Sequence, residues 1–222
     1  MKIKEYMQYF EPFLLYLALF FPSVFTNSTM SSFFASDTIM INYIFISIPQ
    51  ILLILYFFYI KKWDLKDNYA SNCSSTILSR VLKIFFLIVI YTVLLIILTN
   101  SAALLLRITG FMQNVPTINS SKQLIPLYLL VSIITGYREE LFFRAYIIKF
   151  FEKTTNKTAL TLLISAMFAI CHISQGFGAI IVSFINSMLL CFIFFRHRNI
   201  HINAISHALY NFFVLLASVF VV

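Results

Sequence analysis

Residues 81–106 read VLKIFFLIVIYTVLLIILTNSAALLL, a run in which Lys83 is the one charged side chain. About 20 mostly apolar residues carry a helix across the hydrocarbon core of a bilayer. In lipid, every backbone N–H and C=O must be satisfied within such a segment, so a helix is the conformation it can take. The run therefore predicts a transmembrane helix. Runs of the same kind lie on either side of it, at 11–25, 39–60, 123–150, 159–172, 178–195 and 202–222, the first and the 159–172 run being short. The fold expected is all-α, a polytopic transmembrane helix bundle of about seven spans.

Composition points the same way. Of the 222 residues, 61% are hydrophobic and 11% charged, and 26 are Phe. A soluble domain is about half apolar and about a quarter charged, so a water-facing surface cannot be assembled from this chain. The formal net charge is +8, but a nucleic-acid binder gathers Lys and Arg on one exposed face. Here they fall in short clusters between apolar runs, as cytoplasmic membrane loops do. The partners expected are the lipid bilayer and no nucleic acid.

Those clusters alternate. Lys2 and Lys4 precede the first run, and Lys61, Lys62, Lys66 and Arg80 follow the second. Lys149, Lys153 and Lys157 follow the fourth, and Arg196 and Arg198 the sixth, whereas only Arg107 and Lys122 edge the third connection. The positive-inside rule then puts the N-terminus in the cytoplasm. Thr26-Asn27-Ser28-Thr29 offers no small-residue cleavage site, so the first helix is expected to be retained. The three cysteines, Cys73, Cys171 and Cys191, are odd in number, and two lie in apolar runs. They read as small buried apolar residues rather than a disulfide framework.

Two of the eight acidic residues, Glu139 and Glu140, are adjacent and near the middle of a span. A charged side chain at that depth costs about 2.5–3.5 kcal/mol on insertion scales and is functional by default. Glu140 and Arg144 stand at i and i+4 and can pair on one face. Arg138 is a neighbour of Glu139 in sequence, and such neighbours do not face one another on a helix. Glu139 is left without a structural explanation.

Of four histidines, His197 and His201 belong to the connection after the sixth run and are expected to be solvated. His172 ends the fifth run and His207 lies in the seventh. At a rise of about 1.5 Å per residue, Glu139 stands roughly 15 Å from Lys149, His172 roughly 22 Å from Lys157, and His207 and Asn211 roughly 13 and 20 Å from Arg198. Helices four, five and seven thus bring polar residues to overlapping depth, and His207 and Asn211 share one helix face. A common site is expected.

These residues carry a resemblance. Glu139-Glu140-Leu141-Phe142-Phe143-Arg144 resembles the EExxxR signature of the CPBP (CAAX protease and bacteriocin-processing) family of intramembrane endopeptidases. Phe168-Ala169-Ile170-Cys171-His172 is similar to its FxxxH motif, and His207-Ala208-Leu209-Tyr210-Asn211 to its HxxxN motif. The likeness covers residues 123–222, a catalytic membrane core, while 1–122 resembles the family only in being hydrophobic; one domain overall is expected. The resemblance implies hydrolysis of a peptide bond of a membrane-associated protein or peptide. It implies Glu139 as general base, His172 as its partner, His207 and Asn211 as the oxyanion hole, and Glu140, Arg144 and Phe168 in support.

Rival chemistries have distinct signatures. Glu139, His172 and His207 form a two-His, one-carboxylate set of the kind that binds zinc, but no H-E-x-x-H is present, and the expectation is a metal-free site with no cofactor. There is no G-x-S-x-G, and Cys171 and His172, being adjacent, diverge on a helix. A proton-coupled transporter would also keep carboxylates in the membrane but tends to show repeats and broken helices, absent here. A peptide-sequestering immunity protein would have no need of Glu139, His172, His207 and Asn211 together. A compact chain rich in Ile, Asn, Phe and Lys suggests a bacterial cell membrane.

Overall fold

The structure is a computed structural model that describes residues 10–20, 37–64, 76–111 and 122–220. Lys2, Lys4, Lys66 and Cys73 lie outside the described residues, as do the far ends of the first and last apolar runs. Among the described residues there are helices and no strands. They are α1 (Phe10–Phe20), α2 (Asp37–Ile60), α3 (Ile77–Ile108), α4 (Ile125–Glu140), α5 (Lys157–Ile170), α6 (Phe177–His197) and α7 (Ile200–Phe220). Each falls on one of the predicted runs. Four of them, α2, α3, α6 and α7, are long and apolar enough to cross a membrane, and α1 and α5 are shorter apolar helices.

Local chemistry sets the boundaries. A proline in the first turn of α4 occupies a position where the missing N–H costs nothing. The Asn156 side chain accepts from Ala159 N–H at 2.8 Å and caps α5. The Asn199 side chain accepts from His201 and Ile202 N–H and starts α7. α4 does not stop at Glu140. It continues through a π-helical stretch, Leu141–Ile147, into a last α turn, Ile148–Phe151. π-helical turns are rare and gather at functional sites; this one begins directly after the glutamate pair, and all seven of its residues are buried.

Contacts between helices show that successive helices alternate in direction. Lys61 at the end of α2 reaches Glu11 at the start of α1, Lys83 near the start of α3 lies within electrostatic reach of His197 at the end of α6, and Arg198 beyond α6 reaches Glu152 beyond α4. One end of the bundle therefore gathers the starts of α1, α3, α5 and α7 with the ends of α2, α4 and α6.

The packing is inverted relative to a soluble protein. α2 and α3 turn large apolar side chains outward, Phe45, Leu52, Phe86 and Leu105 among them, as a lipid-facing surface requires. The interior holds Glu140, Arg144, Asn203, Ser187 and Ser206, all fully enclosed. An aromatic cluster of Tyr16, Phe20, Phe142, Phe143, Tyr146 and Phe168 closes around the π-helical stretch.

α4 packs most extensively on α7, and the contact depends on small residues. A Cβ built on Gly136 would lie 2.7 Å from the Ala204 carbonyl oxygen and 3.0 Å from the Ala208 Cβ. Small residues at such crossings let backbones approach, which drives association where lipid tails are as apolar as the helices. Replacement Gly136→Ala is expected to lower stability by about 1–3 kcal/mol through overpacking. Thermal unfolding in detergent would show it as a depressed midpoint, and an unchanged midpoint would mean that α4 and α7 tolerate separation.

Candidate active site

Glu140 is wholly buried and fully partnered. Its Oε1 accepts from Arg144 Nη1 at 2.9 Å and from His207 Nδ1 at 2.9 Å, and its Oε2 accepts from Asn203 Nδ2 at 3.2 Å. The i,i+4 pairing with Arg144 stands as expected, both side chains having no exposure. Arg144 spends its other terminal nitrogen on Ser187, with Oγ at 2.7 Å and the carbonyl oxygen at 3.2 Å. Its guanidinium lies over the Phe168 ring at 5.0 Å. Charge-assisted bonds of this kind are roughly twice as strong as neutral ones, and buried polar atoms need them.

This network orients His207. A carboxylate beside Arg144 can only accept, so Nδ1 carries the proton it donates. The other nitrogen, Nε2, is directed to Glu139 and stands 3.8 Å from Glu139 Oε2. His172 is held in a parallel way. Its Nδ1 bonds to the Phe168 carbonyl oxygen at 2.9 Å; a carbonyl accepts, so Nδ1 donates and Nε2 remains for other work. The Phe168 ring lies tilted beside both imidazoles, its centroid 5.0 Å from that of His172 and 5.9 Å from that of His207.

A cavity of about 470 Å³ unites the site, and Glu139, His172, His207, Asn211 and Phe168 all line it. The shared depth inferred from the sequence thus corresponds to a shared space. Glu140 and Arg144 stand behind that wall and hold it. Among the described residues, no group of three His, Cys, Asp or Glu side chains is arranged to hold a metal ion. Cys171 points toward the Tyr16 hydroxyl, at 3.5 Å, and the Met167 carbonyl rather than to His172. Cys171 and Cys191 are free thiols.

Three expectations need correction. Arg138 does pair with Glu139, with Nη2 3.3 Å from Oε1. The two Cβ atoms diverge, but a guanidinium on a long stem can swing back across one helical step. Gln50 of α2 holds it there by accepting from Nη1 at 3.2 Å, while the rings of Phe20 and Tyr43 lie 5.1 Å from its centre. His197 is not a free loop residue, since its Nε2 sits 2.6 Å from the Tyr91 hydroxyl. His201 is exposed, as expected, but lies within α7 rather than in a loop, 2.9 Å from the Tyr137 hydroxyl.

Sequence reasoning missed Asn203, Ser187 and Gln50. Asn203 had a readable signal, because it precedes His207 by four residues and so shares the helix face of His207 and Asn211. Gln50 and Ser187 were visible only as polar residues within apolar runs, with partners far away in sequence.

Residues 121–213 match the family model described as type II CAAX prenyl endopeptidase Rce1-like. The matched stretch holds all three motifs, and the resemblance read from them is borne out over it. This model describes a protease. No curated protein matches the chain, and no solved structure does.

The buried pair generates a stability prediction. Replacing Arg144 by Met should destabilise the protein by about 3–5 kcal/mol, because Glu140 is left charged and uncompensated. Adding Glu140→Gln to that variant should restore part of the loss. Unfolding of the single and double variants in detergent measures both, and an additive double variant would contradict the coupling.

Proposed function

We propose that this protein is an intramembrane endopeptidase in which Glu139 activates a water molecule for attack on a peptide carbonyl. The observation that carries this reading is the convergence of Glu139, His172, His207 and Asn211 on one cavity. Arg138 engages Glu139 Oε1 and leaves Oε2 as the atom that takes the proton of water. His172, with its Nε2 free, holds that water. Proton removal and attack on the carbonyl carbon form a tetrahedral intermediate, with negative charge on the former carbonyl oxygen.

Asn211 Nδ2 is a neutral donor for that oxygen. His207, its Nδ1–H held by Glu140 and its Nε2 turned toward Glu139, is the second group placed at that oxygen. Donors held in place by packing cost no reorganisation when charge develops, which is why they dominate acyl-transfer catalysis. Collapse of the intermediate breaks the C–N bond, and the proton held by Glu139 passes to the departing amine. Water is thereby split between the new carboxyl group and the new amino group.

The substrate is a peptide bond of a membrane-associated protein or peptide, and the location is a membrane, in keeping with the four spanning-capable helices. The proposed route uses only side chains of the chain itself.

In proteoliposomes with a quenched fluorogenic peptide, Glu139→Gln should abolish cleavage. Asn211→Ala should lower kcat by about 10²–10³-fold, the usual cost of one oxyanion donor, with KM little changed. A rise in KM at constant kcat would make Asn211 a substrate contact instead. Chelator treatment should leave turnover intact, and loss of activity restored by added zinc would replace this mechanism with a metal-dependent one.

A further inference from the structure

We infer that Ser132 of α4 is a substrate-binding residue, its hydroxyl holding the main chain of an extended peptide about three residues from the cleaved bond. The inference deepens the endopeptidase reading and rests on it for the position of that bond.

The cavity follows the helix axes. On α4 it is lined from Val131 to Glu139, roughly 12 Å at about 1.5 Å per residue, and on α6 from Ala179 to Leu190, roughly 16 Å. Several of its polar side chains satisfy one another across helices. Thr99 Oγ1 of α3 donates to Asn186 Oδ1 of α6 at 2.9 Å, and the hydroxyls of Tyr43 and Thr135 join α2 to α4 at 3.1 Å. Ser132 differs. It is 1% exposed, and its Oγ has no hydrogen-bond partner among the described residues. A hydroxyl inside a membrane helix can donate to the carbonyl oxygen four residues back, as Thr92 of α3 does to Ile88 at 2.8 Å. Ser132 does not. Of the other buried side chains with an unpartnered atom, Ser47, Ser165, Arg144 and Asn203 stand away from the cavity, and Arg138 belongs to the grip on Glu139. A buried hydroxyl without a partner is destabilising, and a ligand in the cavity that bonds to Ser132 removes that cost.

Helix geometry sets the register of that ligand. Ser132 and Glu139 stand at i and i+7 on one face of α4, and the helix between them is regular, since the π-helical stretch begins only at Leu141. Seven residues at about 1.5 Å each place the two side chains roughly 10 Å apart along the axis. An extended peptide advances about 3.3 Å per residue. A chain lying along the cavity with its scissile carbonyl at Glu139 therefore brings about its third residue to Ser132. Every non-proline residue of that chain offers one main-chain donor and one acceptor, and a hydroxyl can serve either. Such a contact reads conformation rather than side-chain identity. An extended segment can meet it, whereas a helical one has its main-chain groups engaged internally. The substrate class that fits is a segment held in extended form across the cavity.

An ester scan of the substrate tests this. The full chain in proteoliposomes is given a quenched fluorogenic peptide in which one amide at a time is replaced by an ester, which removes the N–H donor and weakens the carbonyl acceptor. Mass spectrometry fixes the cleaved bond for each peptide. In the parent chain an ester within one residue of the third position from that bond is expected to raise KM about 3–10-fold, the worth of one neutral hydrogen bond, with kcat little changed. Ser132→Ala should raise KM for the all-amide peptide by a similar factor and abolish the penalty of that ester. Equal ester penalties in the parent and Ser132→Ala chains at every position, or coupling only elsewhere in the peptide, overturn the inference. Binding of the same peptides to the Glu139→Gln chain and to Ser132→Ala in that background, followed by fluorescence anisotropy, reads the coupling as Kd. Coupling there without Glu139-dependent cleavage by the parent chain would keep Ser132 as a peptide contact and remove the endopeptidase reading. Cleavage without coupling would keep that reading and remove Ser132.

Discussion

The Glu140–Arg144 pair must be satisfied wholly inside the protein, because neither side chain reaches water and lipid offers no hydrogen bonds. That requirement organises the helices around it. Arg144 draws Ser187 of α6, and Glu140 draws Asn203 and His207 of α7, so one buried ion pair ties α4 to two other helices. A buried pair of this kind is weak evidence for stability as such. Its value here is specificity: the register of α7 on α4 that gives Glu140 its partners is also the register that aims His207 at Glu139.

The arrangement divides the adjacent glutamates by environment. Glu140, facing α6 and α7, has every oxygen engaged and becomes a fixed part of the wall. Glu139, one helical step away, faces the cavity with a single engaged oxygen. Its counter-charge comes from Arg138, and that residue is steered by Gln50, Phe20 and Tyr43. The first two helices, which carry none of the three motifs, therefore act on the site through Arg138. Gln50 is itself held by the Leu19 carbonyl oxygen at 2.9 Å, which extends the chain of contacts from α1 to the cavity.

The π-helical stretch and the aromatic cluster serve the same geometry. The closely packed rings around Leu141–Ile147 fill the bundle beside the glutamate pair. The small residues at Gly136, Ala204 and Ala208 let α4 and α7 come close, and the polar atoms of Glu140, Asn203 and His207 meet at hydrogen-bonding distance as a result.

How much of this was legible depends on the range of each interaction. Hydropathy is a property of single residues summed along a helix, so the spans at 39–60, 81–106, 178–195 and 202–222 could be read directly and α2, α3, α6 and α7 follow them. The Glu140–Arg144 pair is an i,i+4 contact, and the face shared by His207 and Asn211 is another; helix geometry places both without knowledge of the fold. Depth, counted from basic residues at about 1.5 Å per step, was enough to bring Glu139, His172, His207 and Asn211 to one level. What only the tertiary structure decided is direction around each helix axis and the identity of distant partners. Sequence order cannot say that Gln50 meets Arg138 or that Ser187 meets Arg144, because in lipid the rotation of one helix against another is settled by packing and by the need to pair every buried polar atom. The same need turned Arg138 back toward Glu139, against the rule for neighbours on a helix.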